Sequence, residues 1–132
     1  MVCDVSDTDQ FATTLREIEQ RHGRIDILIN NAAIPEPDGA DLDRYRKVME
    51  TNYFAVVAGT LAVLPGMRSR RRGAVVNVSS DTARAPTPGE AGYAASKGGL
   101  VNLTRELSAQ WARKGVRVNC LAPGWFRSEM TD

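Results

Sequence analysis

Three short apolar runs constrain this chain most. Residues 25–29, 74–78 and 116–122 are built mainly from Ile, Leu, Val and Ala. Strands covered on both faces read as near-continuous apolar runs rather than as an alternation. Between them lie longer stretches with helical periodicity. Strands alternating with helices of ten or more residues imply a parallel sheet with right-handed crossovers. Residues 1–5 are also apolar and stop abruptly, as the end of a further strand would. Ser6 with Asp9 three residues on predicts a capped helix start. Phe11, Leu15 and Ile18 then follow at helical spacing, and Gly23 supplies a stop. Pro35, Pro37 and Gly39 predict a loop. A long helix is expected from Asp41, with Leu42, Tyr45 and Met49 as its apolar stripe. From Tyr53 to Leu64 it is apolar almost all round, which predicts burial on more than one side; its second face could pack on a partner subunit. Pro65 is expected to bend or end it. After the loop of Pro86, Pro88 and Gly89, residues 91–113 read as a helix carrying Leu100, Leu103, Leu107 and Trp111. Gly115 closes it.

Composition narrows the class. With 132 residues, 42% hydrophobic and 25% charged, the chain fits a single packed domain and argues against disorder. Seventeen basic and sixteen acidic residues leave a net charge of +1, so neither nucleic acid nor an anionic membrane is expected as a partner. Arg68, Arg70, Arg71 and Arg72 cluster where a helix should end, and positive charge there suits the helix dipole. Cys3 and Cys120 sit in apolar runs and predict buried thiols in a reducing compartment. No window reaches the ~18 apolar residues of a membrane span, and no signal pattern opens the chain. A cytoplasmic location and no metal site are expected.

In an open parallel sheet, ligands bind beyond the carboxyl ends of the strands. Polar and turn-forming residues gather at those ends here: Asp4, Asn30 to Ala33, Ser79 with Ser80, and Pro123-Gly124. Tyr93 and Lys97, four apart, share one face near a helix start. A phenol titrates near ~10. A neighbouring ammonium and a helix N-terminus both stabilise the phenolate and are expected to bring that value toward the working pH, as proton transfer requires. A lone Tyr-x-x-x-Lys pair also arises from a tyrosine packed on a lysine stem. Its place in a helix that follows a strand ending in Ser80 makes it a candidate site.

These residues together resemble the short-chain dehydrogenase/reductase family. Asn30-Asn31-Ala32-Ala33 is similar to the family's Asn-Asn-Ala-Gly segment, and Asn52 lies in the helix that follows. Ser80 stands thirteen residues before Tyr93, and Tyr93-Ala94-Ala95-Ser96-Lys97 matches the Tyr-x-x-x-Lys signature. Pro123-Gly124 with Ser128 resembles the Pro-Gly turn and its hydroxyl residue. The resemblance implies an α/β fold, a partial Rossmann-type three-layer α/β/α domain with a parallel sheet over residues 1–132. It implies an NAD- or NADP-dependent oxidoreductase acting on a small-molecule secondary alcohol or ketone, such as a sugar acid, a polyol or a 3-oxoacyl thioester. Tyr93 would be the general acid/base. Lys97 would tune Tyr93 and hold the nicotinamide ribose. Ser80 would bind the substrate oxygen, and Asn52 would hold a water leading from Lys97 to solvent. Asp4 and Val5 would meet the adenine, Asn30 would brace the strands, and Ala32 would lie along the adenosine ribose. Pro123, Gly124 and Ser128 would face the nicotinamide end. A homodimer or homotetramer through residues 41–70 and 91–113 is also implied.

Two departures stand out. Ala33 replaces the usual Gly. No Gly-rich pyrophosphate turn of the kind that opens such a domain occurs in the 132 residues. The segment that would choose between NAD and NADP is missing as well. The chain therefore reads as an internal, incomplete piece of the fold, unstable or aggregation-prone alone. An unpaired parallel edge invites association, and each exposed apolar Å² costs ~25 cal/mol against a total of ~5–15 kcal/mol. The rival expectation is an inactive fragment that acts at most as a helix-mediated interaction piece.

Overall fold

A computed structural model describes residues 1–36, 39, 41–125 and 127. Pro37, expected in a loop, lies outside them. The three apolar runs form three parallel strands, β1 (Ile27–Asn30), β2 (Gly73–Val78) and β3 (Val116–Leu121), in the order β1-β2-β3. Asn30 pairs with Asn77 and Asn77 with Cys120, so the three strands end level with one another. Residues 1–4 are not in a strand; no neighbouring strand among the described residues offers them a ladder.

Helix α1 (Thr8–His22) starts one residue later than expected. Its cap is Asp7, whose carboxylate accepts from the Gln10 amide at 3.0 Å. Ser6 is diverted, because its amide and hydroxyl both donate to Asp4 Oδ1, at 2.9 and 2.8 Å. Gly23 ends α1 at φ +84°, as a left-handed cap requires.

The long helix is less regular than its sequence implies. It runs as α2 (Leu42–Met49), a π-helical turn at Glu50–Phe54, and α3 (Ala55–Arg70). Pro65 does not end it. The proline lies on the exposed side of the helix, where the carbonyl it leaves without a partner is open to solvent rather than buried. The expected stripe is also displaced: Val48 is fully buried, whereas Leu42 is 63% exposed and Tyr45 stays at the surface. By length and composition Leu42–Arg70 passes for a membrane span. One face of it joins the core, with Val56, Val63 and Met67 buried.

Helix α4 (Ala91–Trp111) and a 3₁₀ turn (Ala112–Lys114) return the chain to β3. One core joins Leu15 of α1, Leu28 of β1, Val63 and Met67 of α3, Val75 of β2 and Trp111 of α4 to Val116 and Val118 of β3. Small residues let the layers close: a Cβ on Gly59 would meet the Phe11 ring at 2.6 Å. The opposite sheet face is open among the described residues, with Ile27 61% and Ile29 60% exposed.

A string of buried amides and hydroxyls crosses the sheet. Asn30 Nδ2 donates to Thr60 Oγ1 (3.3 Å) and to Asn77 Oδ1 (2.9 Å), and Asn77 Nδ2 donates to Thr104 Oγ1 (3.0 Å). Each buried amide thus finds partners inside the fold, as burial of a polar group demands. Arg70 bonds the Ile25 carbonyl and pairs with Glu19, and the Arg71 guanidinium donates to the Arg113 carbonyl. Those two members of the arginine cluster therefore tie helix ends together. Cys3 and Cys120 are free thiols and only half-buried, Cys3 because no strand among the described residues covers its segment.

Candidate active site

The carboxyl ends of the strands and the start of α4 converge on one region. β2 leads through Ser79 into Ser80, which caps a 3₁₀ turn at Asp81–Ala83. The Asp81 amide donates to the Pro123 carbonyl (3.1 Å), and the Ser79 amide to the Leu121 carbonyl (2.7 Å), so the segments after β2 and β3 are tied together. The Ser79 hydroxyl donates to the Lys97 carbonyl at 2.8 Å and pins α4 to the end of β2.

Tyr93 is the third residue of α4 and Lys97 lies one turn on. Lys97 is 2% exposed, and its Nζ donates to the Val78 carbonyl at 2.8 Å. The ammonium also stands 5.6 Å from the centroid of the Tyr93 ring, a cation–π distance. It faces the ring rather than being spent on the phenolic oxygen. Burial pushes the Lys97 pKa down from 10.5 to about 8, opposed by the Cys120 side chain.

The tyrosine does not follow the direction expected from sequence. Its pKa is raised, chiefly by burial, with Glu90 and Asp81 adding in the same sense, while the neighbouring Ser80 side chain works downward. Sequence spacing placed a cation nearby but did not show the two carboxylates or the depth of the ring. Ser80 has one proton. In this structure it donates to Asp81 Oδ1 at 3.2 Å, and the Thr82 amide donates to its oxygen at 3.3 Å. Binding a substrate oxygen would require that proton to turn away from Asp81.

Asn52 is fully buried in the π-helical turn. Its Oδ1 accepts from the Ile34 amide (2.8 Å), and its Nδ2 donates to the Ile34 carbonyl (3.0 Å) and to Ser96 Oγ (3.3 Å). Ser96 Oγ in turn donates to the Tyr93 carbonyl at 2.7 Å. Both amide hydrogens are used, so a water on this residue falls to its oxygens.

On the other side of β1, a cleft of about 160 Å³ opens between Val5, Phe11, Asn31, Ala32, Thr51 and Val56. Asp4 precedes it and is exposed, its pKa lowered by the Ser6 amide and hydroxyl. Asn30 is buried in the amide string and braces the strands rather than lining open space alone. Near Gly124, a Cβ would meet nothing closer than Asp81 Oδ2 at 3.9 Å, so the backbone there is approachable. Ser128 lies outside the described residues. The structure thus gathers Asn52, Ser80, Tyr93 and Lys97 around α4, with Pro123-Gly124 tied to them through Asp81. Asp4, Val5 and Ala32 stand at a second position past β1. Sequence reasoning missed Asn77, Ser96, Asp81 and Glu36. Only Asn77 carried a signal, as a lone amide inside an apolar strand run.

A pH dependence of stability follows from Lys97. Its folded pKa lies below its unfolded value, so between about 8 and 10.5 the unfolded chain binds more protons. Stability is therefore expected to rise with pH across that window on account of this group, and to lose the gain as pH falls through 8. Tyr93, shifted the other way, begins to oppose the rise only above its unfolded value of 10.0. Urea midpoints at pH 7.5 and 9.5, as chosen test conditions, should differ in the unmodified chain more than in Lys97→Met. Equal slopes in both would remove Lys97 as the source.

Comparison with known proteins agrees along the whole chain. A family model described as short chain dehydrogenase matches residues 1–132. Gluconate 5-dehydrogenase of Gluconobacter oxydans is 40% identical, over 99% of this chain and 52% of that protein. The 3-oxoacyl-acyl-carrier-protein reductase FabG of Thermotoga maritima is 37% identical, over 99% of this chain and 54% of that one. Among solved structures, a gluconate 5-dehydrogenase from Burkholderia cenocepacia in complex with NADP and tartrate superposes with a TM-score of 0.93 at 36% identity. It is matched over 98% of this chain and 52% of its own. The chain spans about half the length of the curated relatives it matches.

Proposed function

The chain belongs to the short-chain dehydrogenase family, and from that premise we propose that it serves an NAD(P)-dependent oxidoreductase interconverting a secondary alcohol and a ketone. The carrying observation is the convergence of Ser80, Tyr93 and Lys97 at the strand ends, with Lys97 buried against the Tyr93 ring. A nicotinamide cofactor, when bound, supplies the hydride acceptor or donor. The residues present fit such a dinucleotide at both ends. The cleft beside Val5 and Ala32 is walled mainly by apolar atoms and sized for a flat heterocycle. Asp4 stands beside it for an exocyclic donor. At the other end Gly124 leaves its backbone open, and Lys97 retains two N–H groups beyond the one on Val78 for a ribose. The 132 residues contain no Gly-rich turn for the pyrophosphate, so these contacts flank the dinucleotide rather than grip its centre. NAD and NADP are both consistent with them.

In oxidation the Tyr93 phenolate takes the hydroxyl proton of the substrate. In reduction the phenol returns it to the carbonyl oxygen. The Ser80 hydroxyl, turned from Asp81, donates to that oxygen and stabilises the charge that develops on it. The Lys97 ammonium favours the phenolate through the ring face and, by way of a water at Asn52, passes protons to solvent. Substrates of the class sugar acid, polyol or 3-oxoacyl thioester accord with the named relatives, a gluconate dehydrogenase and 3-oxoacyl reductases.

The same reading includes self-association. Leu42, Tyr45, Phe54 and Leu61 are exposed along α2, the π-helical turn and α3, which together with α4 are the helices expected to pack on a second copy. The test of function is direct. The protein, mixed with NAD⁺ or NADP⁺ and with gluconate, sorbitol or a 3-hydroxyacyl thioester, is expected to form reduced nicotinamide. A folded protein that turns over none of them with either cofactor overturns the proposal.

A further inference from the structure

The first three amides of α4 have no partner within the helix, as at any helix start. The first intrahelical bond runs from the Ala94 amide to the Glu90 carbonyl at 2.8 Å. Glu90 is the cap residue, yet its side chain makes no capping bond. The cap comes from elsewhere in the chain. Glu36, in the loop after β1, reaches 57 residues along the sequence and accepts the Tyr93 amide on Oε2 at 2.8 Å. Gly92 leaves room for it: a Cβ there would stand 2.7 Å from Glu36 Oε2 and 2.9 Å from the Tyr45 ring.

The segment leading to Glu36 is held at two successive residues. Asn52 grips the amide and the carbonyl of Ile34 at once. The Arg44 guanidinium donates to the Pro35 carbonyl at 2.7 Å. Two residues earlier, Asn31 and Ala32 line the cleft past β1. A short strap thus runs from the cleft to the backbone of Tyr93, and its last link is a charge-assisted hydrogen bond.

We infer that Glu36 is a positioning residue for Tyr93, a remote helix cap that fixes the start of α4 and couples the loop lining the Ala32 cleft to the proton-transfer group. The catalytic half of this inference rests on the proposed role of Tyr93; the clamp itself does not. A carboxylate at this point also suits the positive end of the helix dipole. The bond makes a geometric demand. Glu36→Gln keeps the reach and an acceptor oxygen but removes the charge. Glu36→Asp keeps the charge but shortens the arm by about 1.5 Å, one C–C bond.

Amide hydrogen exchange on the whole chain reads the clamp. In Glu36→Ala and Glu36→Asp the Tyr93 amide is expected to exchange about tenfold faster, the scale of losing a cap. In Glu36→Gln it should stay within about twofold of the unmodified chain. The Leu107 amide, far along α4, serves as the internal control and should not change. Turnover reads the positioning: kcat should fall about tenfold to a hundredfold in the Asp variant with KM held, as for a displaced reacting group, and recover in the Gln variant. Unchanged Tyr93 exchange in both the Ala and Asp variants overturns the clamp. Changed exchange with unchanged kcat overturns the positioning role. If the unmodified protein shows no turnover, the proposed enzymatic function fails, while the exchange comparison still decides the clamp.

Discussion

Tyr93→Phe is expected to lower turnover by about 10²–10⁴-fold, the range for losing a general acid–base group. The substitution removes one oxygen and leaves the rest of the site in place. The ring that faces Lys97 at 5.6 Å remains, and so does the backbone held by Glu36 and Ser96. Substrate KM and the melting temperature should therefore change little. The pH profile supplies a second check on the same residue. Burial and the carboxylates of Glu90 and Asp81 hold the Tyr93 phenol above its ordinary value in the cofactor-free chain. Ketone reduction uses the protonated phenol, so it should persist through neutral pH. Alcohol oxidation uses the phenolate, so it should climb with pH. Lys97, with its pKa at about 8, gives up its help to the phenolate in the same range and should flatten that climb. A Phe variant as active as the parent would remove Tyr93 from the mechanism.

Gly115→Ala is expected to cost about 2–5 kcal/mol of stability, from ~1–2 for the left-handed backbone and ~1–3 for overpacking. Gly115 sits at φ +78°, where a side chain is strained. A Cβ at this position would also run into the carbonyl of Arg71. That carbonyl has little room to retreat. Arg71 is itself left-handed at φ +53°, and its guanidinium is bonded to the Arg113 carbonyl at 2.8 Å. The two turns abut where β2 and β3 begin, with Gly73 in register with Val116. Gly23→Ala is the control, because Gly23 has φ +84° but nothing within 4 Å of where a Cβ would stand. It should lose only the backbone part. Urea titration at constant m-value measures both. Equal losses in the two variants would show that the contact with Arg71 carries no weight.

The parallel strands were legible from their apolar runs, but the cover on both faces that such runs imply is not met at β1 and β3, where Ile27, Ile29 and Leu121 lie exposed on the face that no described helix covers. The same logic failed along α2. Leu42 and Tyr45 look like a core stripe, but Val48 takes the buried position and they remain outside. Periodicity names a face without saying which way it turns. The cap of α1 shows a similar limit. Ser6 and Asp7 are both good caps, and the choice fell to Asp7 because Asp4 occupies Ser6. Ser80, Tyr93, Lys97 and Asn52 were readable as a candidate site from spacing and family resemblance. Their electrostatic balance was not, since Glu90 and Asp81 act on Tyr93 through space.

What the sequence determined by itself was the order of strands and helices, the family, and the identity of the residues gathered at the strand ends. These depend on local pattern and on spacing along the chain. Only the tertiary structure decided the π-helical turn around Asn52, the amide string through Asn30, Asn77 and Thr104, and the capping of Tyr93 by Glu36. Each of these joins groups far apart in sequence. A hydrogen bond between them exists only once packing has brought donor and acceptor within about 3 Å, and no local pattern encodes that distance.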